Sequence, residues 1–177
     1  MDGGNQMQSP AEERLVAALK SHGMHVTTIE SLTGGLIAAR IVRVPGASDV
    51  LGEAYVTYCD EAKHRLAGVS RVSLARHTAV SRQVACEMAK GGARAAGAEV
   101  GISATGIAGP DGGTAKHPVG TVYTGCCING ETSVRHHLFR GDREAIRQSA
   151  AEAALIHACE RLEEYSASNT DRKHTRT

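Results

Sequence analysis

One short stretch of the sequence combines a hydroxyl nucleophile with the backbone freedom that a catalytic turn requires. The segment TIESLTGG, residues 28–35, places Ser31 directly after a glutamate and shortly before two glycines that lead into an apolar run. Glycines let a backbone approach a ligand closely, and free amides at a helix N-terminus stabilise a developing negative charge. Ser31 is therefore a candidate nucleophile. The same pattern is typical of a residue that merely caps the following helix, and both interpretations stay open at this point.

A nucleophilic serine needs a base, and a lysine fits this role better than any histidine in the chain. The nine histidines show neither a clear partner for Ser31 nor the spacing of metal ligands. Lys63 falls in the first turn of a predicted helix that Asp60 would cap, where the helix dipole and partial burial both lower the pKa of an ammonium. A neutral lysine can act as a base, whereas a solvated surface lysine is the plain alternative. Tyr58 is either a proton relay or a rim aromatic without a role.

Two further segments have residues suited to binding an anion. The loop ATGIAGPDGGTAKHPVGT, residues 104–121, is rich in glycine but follows neither the dinucleotide-binding nor the P-loop pattern. Thr105 could offer its hydroxyl to an oxyanion or phosphate, or simply bond its own backbone. Arg143 and Arg147 lie four residues apart near the start of the last predicted helix, where charge and dipole both favour a phosphate. An ordinary solvated helix face explains the same spacing.

The elements that must position these residues alternate between strands and helices. Because parallel strands end at the same edge of a sheet, we expect a site formed by the segments that follow three of them, near residues 30–35, 58–63 and 105–113. Asn129-Gly130 is a strong hairpin signal, which adds an antiparallel pair and makes the predicted α/β sandwich sheet mixed. Predicted strands are 25–30, 53–58, 100–105, 121–128 and 132–139, and predicted helices are 9–23 with Ser9 as cap, 36–42, 60–68, 79–98 and 142–165.

The chain length favours one domain, residues 9–165, and the polar ends 1–8 and 166–177 are predicted to be flexible.

Composition argues against several classes of function. Lys and Arg number 20 against 19 Asp and Glu, and aromatic residues make up only 3%, so we expect no nucleic-acid partner. Five cysteines without a C-x-x-C pattern indicate core thiols of a reducing cytosol, with neither disulfides nor a metal site. The chain lacks an apolar run of about 20 residues and a signal peptide pattern, which predicts a cytoplasmic protein without a membrane partner.

Several long motifs occur together in one order: ESLTGGLIAARIVRVPGASDVLGEAYVTYCDEAKHRLAGV, HTAVSRQVACEMAKGGA, TGIAGPDGG, PVGTVY and GDREAIRQSA. In these motifs the chain, from about residue 10 to 165, resembles the CinA C-terminal domain family. The resemblance implies a three-layer α/β/α sandwich with a mixed central sheet that self-associates into a dimer or larger oligomer. It also implies hydrolysis of the carboxamide of nicotinamide mononucleotide, a small-molecule nucleotide, to nicotinate mononucleotide and ammonia, without a cofactor.

The resemblance assigns roles to individual residues. Ser31 matches the nucleophile, Lys63 with Tyr58 would take and return its proton, and turn amides with Thr105 would hold the oxyanion. The residues expected to bind substrate are Glu30, Thr33, Gly34, Gly35, Gly106, Gly109, Gly112, Gly113, Arg143 and Arg147.

Two positions depart from the family pattern. Leu32 stands where family members commonly have cysteine, and His117 stands where they commonly have lysine, with Lys116 displaced by one position. These departures motivate a second hypothesis, which is a catalytically silent nucleotide-binding or regulatory protein of the same fold.

Overall fold

The computed structural model describes residues 9–174, with side chains up to residue 168, and its centre is a five-stranded mixed sheet. The predicted flexible segment 1–8 lies outside the described residues. In sheet order β2-β1-β3-β4-β5, the first three strands are parallel and the last two are antiparallel to their neighbours, as the hairpin signal predicted. The strands are β1 Val26–Glu30, β2 Leu51–Val56, β3 Val100–Gly106, β4 Thr121–Ile128 and β5 Glu131–Leu138.

Helices cover both faces of this sheet and complete three layers. They are α1 Ala11–His22, α2 Leu36–Ile41, α3 Asp60–Ala67, α4 Arg71–His77, α5 Arg82–Ala96 and α6 Arg143–His174, with a 3-10 turn at Ala47–Asp49. Helices α1, α2 and α6 pack together on one face, while α5 lies on the other face with α3 and α4 against it. Each face has its own buried apolar cluster, which confirms the predicted α/β/α sandwich.

The strand register places three chain segments at one edge of the sheet. Glu30, the last residue of β1, is paired with Val56 at the end of β2 and with Ala104 near the end of β3. Because all three strands are parallel, the segments that follow them leave the sheet side by side. β2 ends at Val56, two residues earlier than predicted, so Tyr58 lies beyond the strand.

The beginnings of three helices differ from the sequence-based expectation. Helix α1 starts after Pro10 without a side-chain cap, so Ser9 is not its cap. Helix α3 begins at Asp60 itself, with Cys59 in the cap position. Helix α4 was not predicted, although Ser70 is a regular cap whose hydroxyl accepts hydrogen bonds from the amides of Val72 and Ser73.

The last helix also departs from the prediction, which ended it near Tyr165. It continues to His174, so residues 166–174 of the predicted flexible tail are helical. The segment lacks glycine and proline, and the hydroxyls of Ser166 and Ser168 donate to carbonyls four residues earlier. The buried positions of this helix are Ile146, Ala150, Ala151, Ala154, Leu155, His157, Ala158, Cys159 and Leu162.

Two adjacent glycines in the middle of α5 allow this helix to approach its neighbours closely. A Cβ atom on Gly91 would lie 1.7 Å from the carbonyl oxygen of Ala67, and one on Gly92 would lie 2.1 Å from Cγ1 of Ile29. Ala67 ends α3 and Ile29 belongs to β1, so α5 contacts both elements through backbone. The packing of α5 against both elements therefore depends on these two glycines.

We expect Gly91→Ala to lower the free energy of unfolding by about 2 kcal/mol, because overpacking against a backbone carbonyl outweighs the gain in helix propensity. The measurement is the midpoint of urea unfolding. Gly52→Ala is the control, since a Cβ atom there meets nothing within 4 Å. Equal stability of Gly91→Ala and the wild type would contradict this account of the packing.

Candidate active site

The turn after β1 holds Ser31 at the edge of the sheet. The amide of Ser31 donates to the carbonyl of Ala104 on β3 over 2.9 Å, and the amide of Gly34 donates back to the carbonyl of Ser31 over 3.0 Å. Gly34 and Gly35 have φ angles of 62° and 97°, a region that side chains with a Cβ atom rarely adopt. Glycine at both positions therefore lets the chain reverse immediately after Ser31 and enter α2.

Glu30 supports this turn from inside and does not face a ligand. Its side chain is fully buried, and its carboxylate accepts hydrogen bonds from the hydroxyl of Thr28 and from the amides of Gly35, Ile37 and Ala38, all at 2.9–3.0 Å. The last three are amides at the start of α2, which has no other side-chain cap. The predicted substrate-binding role of Glu30 is therefore wrong: its oxygens are occupied within the protein.

Arg147 fixes the same turn from the opposite helix layer. Its guanidinium donates to the carbonyl of Leu32 over 3.1 Å and to the carbonyl of Thr33 over 2.9 Å, and it also pairs with Glu144. It does not line the cavity beside Ser31. The predicted contact of Arg147 with substrate is replaced by a contact with the turn itself.

The hydrogen bonds of the turn leave two amides available. Gly34 and Gly35 were expected to contribute to an oxyanion site, but their amides donate to Ser31 and Glu30. Among the described residues, the amides of Leu32 and Thr33 have no acceptor. These two amides are therefore the free donors nearest the nucleophile in the sequence.

Lys63 provides the closest contact of Ser31 with an ionisable group. Its side chain is 1% exposed, and its Nζ lies 3.2 Å from Oγ of Ser31. The same Nζ donates to the carbonyl of Thr57 over 2.8 Å, which anchors the amine at the end of β2. The structure thus joins the predicted nucleophile and the predicted base by a direct hydrogen bond.

The environment of Lys63 favours its neutral form. Burial lowers the pKa of the Lys63 ammonium below its ordinary value, while Asp60 and Cys59 act in the opposite direction through their charges. A neutral amine has a lone pair with which to accept the proton of Ser31 while one N–H still bonds Thr57. The geometry and the direction of the shift therefore suit a serine–lysine nucleophile pair.

A cavity of about 290 Å³ opens over this pair. The predicted residues that line it are Ser31, Tyr58, Lys63, Thr105, Gly106, Gly109 and Arg143, together with Leu32, Asp60, Ala79, Val80, Ile107, Ala108 and Asp111. Gly112 and Gly113 lie in the exposed part of the loop and do not line it, and neither do Thr33, Gly34 and Gly35. The cavity therefore brings together the predicted catalytic residues, but it includes only part of the glycine loop.

Tyr58 and Arg143 form the outer part of this cavity. Tyr58 is 61% exposed, and its hydroxyl accepts a hydrogen bond of 2.9 Å from Arg143. Arg143 also donates to the carbonyl of Gly109 over 2.8 Å. No hydrogen bond joins Tyr58 to Lys63 in the described part of the chain, so the expected Tyr58–Lys63 proton relay has no direct contact here.

Thr105 lies deeper in the cavity and is 1% exposed. Its hydroxyl donates to the carbonyl of Ala79 over 2.8 Å, so that its proton is already used. The lone pairs of this oxygen remain for a ligand that donates a hydrogen bond. The expected donation from Thr105 to an oxyanion does not fit this arrangement.

The sequence analysis missed three residues that line the cavity or hold Lys63 in place, namely Thr57, Asp60 and Asp111. Thr57 acts through its carbonyl, which no side-chain pattern can reveal. Asp111 sits inside the glycine loop, where only the glycines were weighed, and Asp60 was considered only as a helix cap. In each case the signal was a single residue, and its meaning depended on the fold.

The two departures from the family pattern lie in different places, since Leu32 lines the cavity and His117 does not. The Leu32 side chain is 4% exposed and belongs to the apolar cluster beneath α1, α2 and α6. His117 lies in the loop after Gly113, where its amide donates to the hydroxyl of Thr114, and it does not line the cavity.

Two negative findings apply to the part of the chain that the structure describes. Its helices include none that is long and apolar enough to cross a membrane. Its His, Cys, Asp and Glu side chains form no cluster of three or more that could hold a metal ion.

Comparison with known proteins places the chain in a family. Residues 8–162 match the CinA C-terminal domain. A CinA-like protein of Kosmotoga olearia is 47% identical over 144 residues, which cover 81% of this chain and 35% of that protein. A CinA-like protein of Syntrophobacter fumaroxidans is 47% identical over 138 residues, which cover 78% of this chain and 32% of that protein. The chain thus spans about a third of the length of the curated relatives it matches.

Solved structures agree in fold over almost their whole length. A competence-damaged protein (CinA) superfamily protein from Klebsiella pneumoniae superimposes with a TM-score of 0.83 at 34% identity, covering 87% of this chain and 96% of that one. A CinA superfamily protein from Escherichia coli superimposes with a TM-score of 0.78 at 36% identity, covering 82% of this chain and 87% of that one. The chain therefore belongs to the CinA C-terminal domain family.

Proposed function

We propose that this protein hydrolyses the carboxamide of nicotinamide mononucleotide to nicotinate mononucleotide and ammonia. The observation that carries the proposal is the contact of 3.2 Å between Nζ of the buried Lys63 and Oγ of Ser31, at the floor of a cavity. The choice of substrate rests on the resemblance of the motifs to amidohydrolase members of the family. A serine–lysine pair without a metal is suited to acyl transfer from an amide.

In the first step, neutral Lys63 accepts the proton of the Ser31 hydroxyl while Ser31 Oγ bonds to the carboxamide carbon. The C=O electron pair moves to oxygen and forms a tetrahedral oxyanion. The free amide of Leu32, which lines the cavity, is the proposed donor to this oxyanion, since the amides of Gly34 and Gly35 are occupied. The carbonyl of Ser31 shares the peptide plane of the Leu32 amide and is held by the amide of Gly34, while Arg147 holds the carbonyls of Leu32 and Thr33.

In the second step, Lys63 returns the proton to the leaving nitrogen, the C–N bond breaks and ammonia departs. A water molecule, deprotonated by Lys63, then attacks the acyl carbon. The bond from this carbon to Oγ of Ser31 breaks, Lys63 returns the proton to Oγ, and nicotinate mononucleotide departs. The lone pairs of Thr105 would accept a hydrogen bond from the carboxamide NH₂, because its own proton is donated to Ala79. Thr105 thus orients the amide for attack.

The nucleotide phosphate is assigned to Arg143 and not to Arg147. Arg143 lines the cavity and uses two of its five N–H donors, for Gly109 and Tyr58, so that three remain for a phosphate. Arg147 is committed to the turn. Self-association and cytoplasmic localisation stay predictions of the sequence.

The catalytically silent alternative was motivated by Leu32 and His117. Leu32 lines the cavity, but its side chain packs in the apolar cluster, and the group that the proposed reaction uses at this position is the main-chain amide. His117 lies outside the cavity, so neither departure removes a group that the reaction needs. Ligand binding that survives Ser31→Ala, with no turnover by either protein, would favour this alternative.

We expect Ser31→Ala to reduce ammonia release from nicotinamide mononucleotide by about 10³-fold or more, because the acyl-enzyme cannot form. Ammonia and nicotinate mononucleotide are measured together at millimolar substrate. Ser21→Ala, which removes an exposed hydroxyl on α1, is the control and should keep full activity. Substantial turnover by Ser31→Ala, or none by the wild type, would refute the proposed function.

The pH dependence of kcat/KM should report the deprotonation of Lys63. Activity rises with pH as the ammonium is lost, and because burial lowers this pKa, the rise is centred below the ordinary lysine value of 10.5. Lys63→Arg, which stays protonated, should lose about 10³-fold, whereas Lys90→Arg at an exposed position of α5 should not. A wild-type profile that is flat from about pH 6 to 10 would rule out Lys63 as the base.

The two arginines should differ in which kinetic constant they affect. Arg143→Gln is expected to raise KM about tenfold by removing phosphate contacts, with a smaller change in kcat. Arg147→Gln is expected to lower kcat about tenfold with little change in KM, because it loosens the turn that holds Ser31. Saturation curves of ammonia release, with melting temperatures as a check on folding, decide between them, and the reverse pattern would contradict the assignment.

A further inference from the structure

The cavity over Ser31 contains two carboxylates that the protein leaves without partners. Within residues 9–168, the acidic side chains with neither a hydrogen bond nor an ion pair are Glu13, Asp60, Asp111 and Glu131. Two of these four, Asp60 and Asp111, line this cavity. Their charges are therefore available to a ligand at the place where chemistry is proposed.

These two carboxylates belong to different elements of the cavity wall. Asp60 is the first residue of α3 and stands three positions before Lys63, so both side chains project from the same helix face. The charge of Asp60 acts to raise the pKa of Lys63, against the effect of burial. Asp111 belongs to the glycine loop that follows β3.

The cations of the cavity do not cancel these charges. Arg143 is bonded to Gly109 and Tyr58, towards the proposed phosphate end. Burial favours neutral Lys63, and the proposed reaction begins from that form. With Lys63 neutral, the lining carries two negative charges against one positive charge. The part of the cavity next to Ser31 is therefore suited to a cation.

We propose that Asp60 and Asp111 make this cavity selective for carboxamides whose ring carries a positive charge. The ligand class is the pyridinium carboxamide, and the exposed ring of Tyr58 at the rim adds a face that attracts such a cation. A cationic ring would also offset the field of Asp60 at Lys63 and so favour the base in its neutral form. The inference rests on the proposed function for the reaction, but selective binding can be measured without turnover.

The test uses a ligand pair that differs by one hydride on the ring, which removes both the positive charge and the aromaticity; the aspartate variants below isolate the effect of charge. Nicotinamide mononucleotide and its reduced dihydropyridine form share ribose, phosphate and carboxamide, whereas only the first has a cationic ring. Calorimetric titration of the Ser31→Ala variant with each form separates binding from hydrolysis. We expect the oxidised form to bind about tenfold more tightly, with the preference falling as salt is raised and surface charges are screened.

Removing the carboxylates one at a time in this background identifies their contribution. Asp60→Asn and Asp111→Asn should each weaken binding of the oxidised form about threefold to tenfold and leave the reduced form unchanged. Glu61→Gln is the matched control, since it removes the same charge from the next position of α3 but outside the cavity.

Three results would overturn the inference: equal weakening of both forms by the aspartate variants, the same selectivity loss in Glu61→Gln, or no binding of either form. A charge preference that persists in a wild-type protein releasing no ammonia would support the inference and refute the proposed function.

Discussion

A buried carboxylate holds the end of β1 to the beginning of α2, and the candidate site depends on this connection. Glu30 binds three amides of the turn and helix together with the hydroxyl of Thr28. This arrangement satisfies helix amides that would otherwise be unpaired in the interior, and it forces the chain to reverse at Ser31. The position of Ser31 is thus a consequence of how the oxygens of one buried side chain are satisfied by hydrogen bonds.

The remaining parts of the site are held by main-chain groups to an unusual degree. The carbonyl of Thr57 anchors Lys63, the carbonyls of Leu32 and Thr33 are bound by Arg147, and the carbonyl of Gly109 is bound by Arg143. Basic side chains that bind carbonyls after β1, β2 and β3 connect the loops of these three strands. The sheet therefore fixes the positions of the candidate site residues through polar contacts.

The sequence predicted the layers, the mixed sheet and the set of residues Ser31, Lys63, Thr105 and Arg143 at one cavity. These follow from hydrophobic periodicity, the Asn-Gly hairpin and motif order, which are local or cumulative signals. It did not distinguish Glu30 and Arg147 from residues that face a ligand, because a charged residue at a strand end or helix start has the same pattern whether it points inward or outward. The contribution of the Thr57 carbonyl was invisible for a different reason, since every residue has such a group and only the fold selects one.

The glycine pair of α5 has a consequence that extends to the distance between Ser31 and Lys63. Ser31 and Lys63 are on separate elements, and the backbone of α5 rests against both: Gly91 against the end of the helix that carries Lys63, and Gly92 against the strand that leads to Ser31. The distance between Oγ of Ser31 and Nζ of Lys63 therefore depends on how closely the backbone of α5 approaches both elements, at glycines that do not line the cavity. Replacing these helical glycines to gain thermal stability would therefore push α3 and β1 away from α5 and change the distance between Ser31 and Lys63 without altering any residue of the cavity.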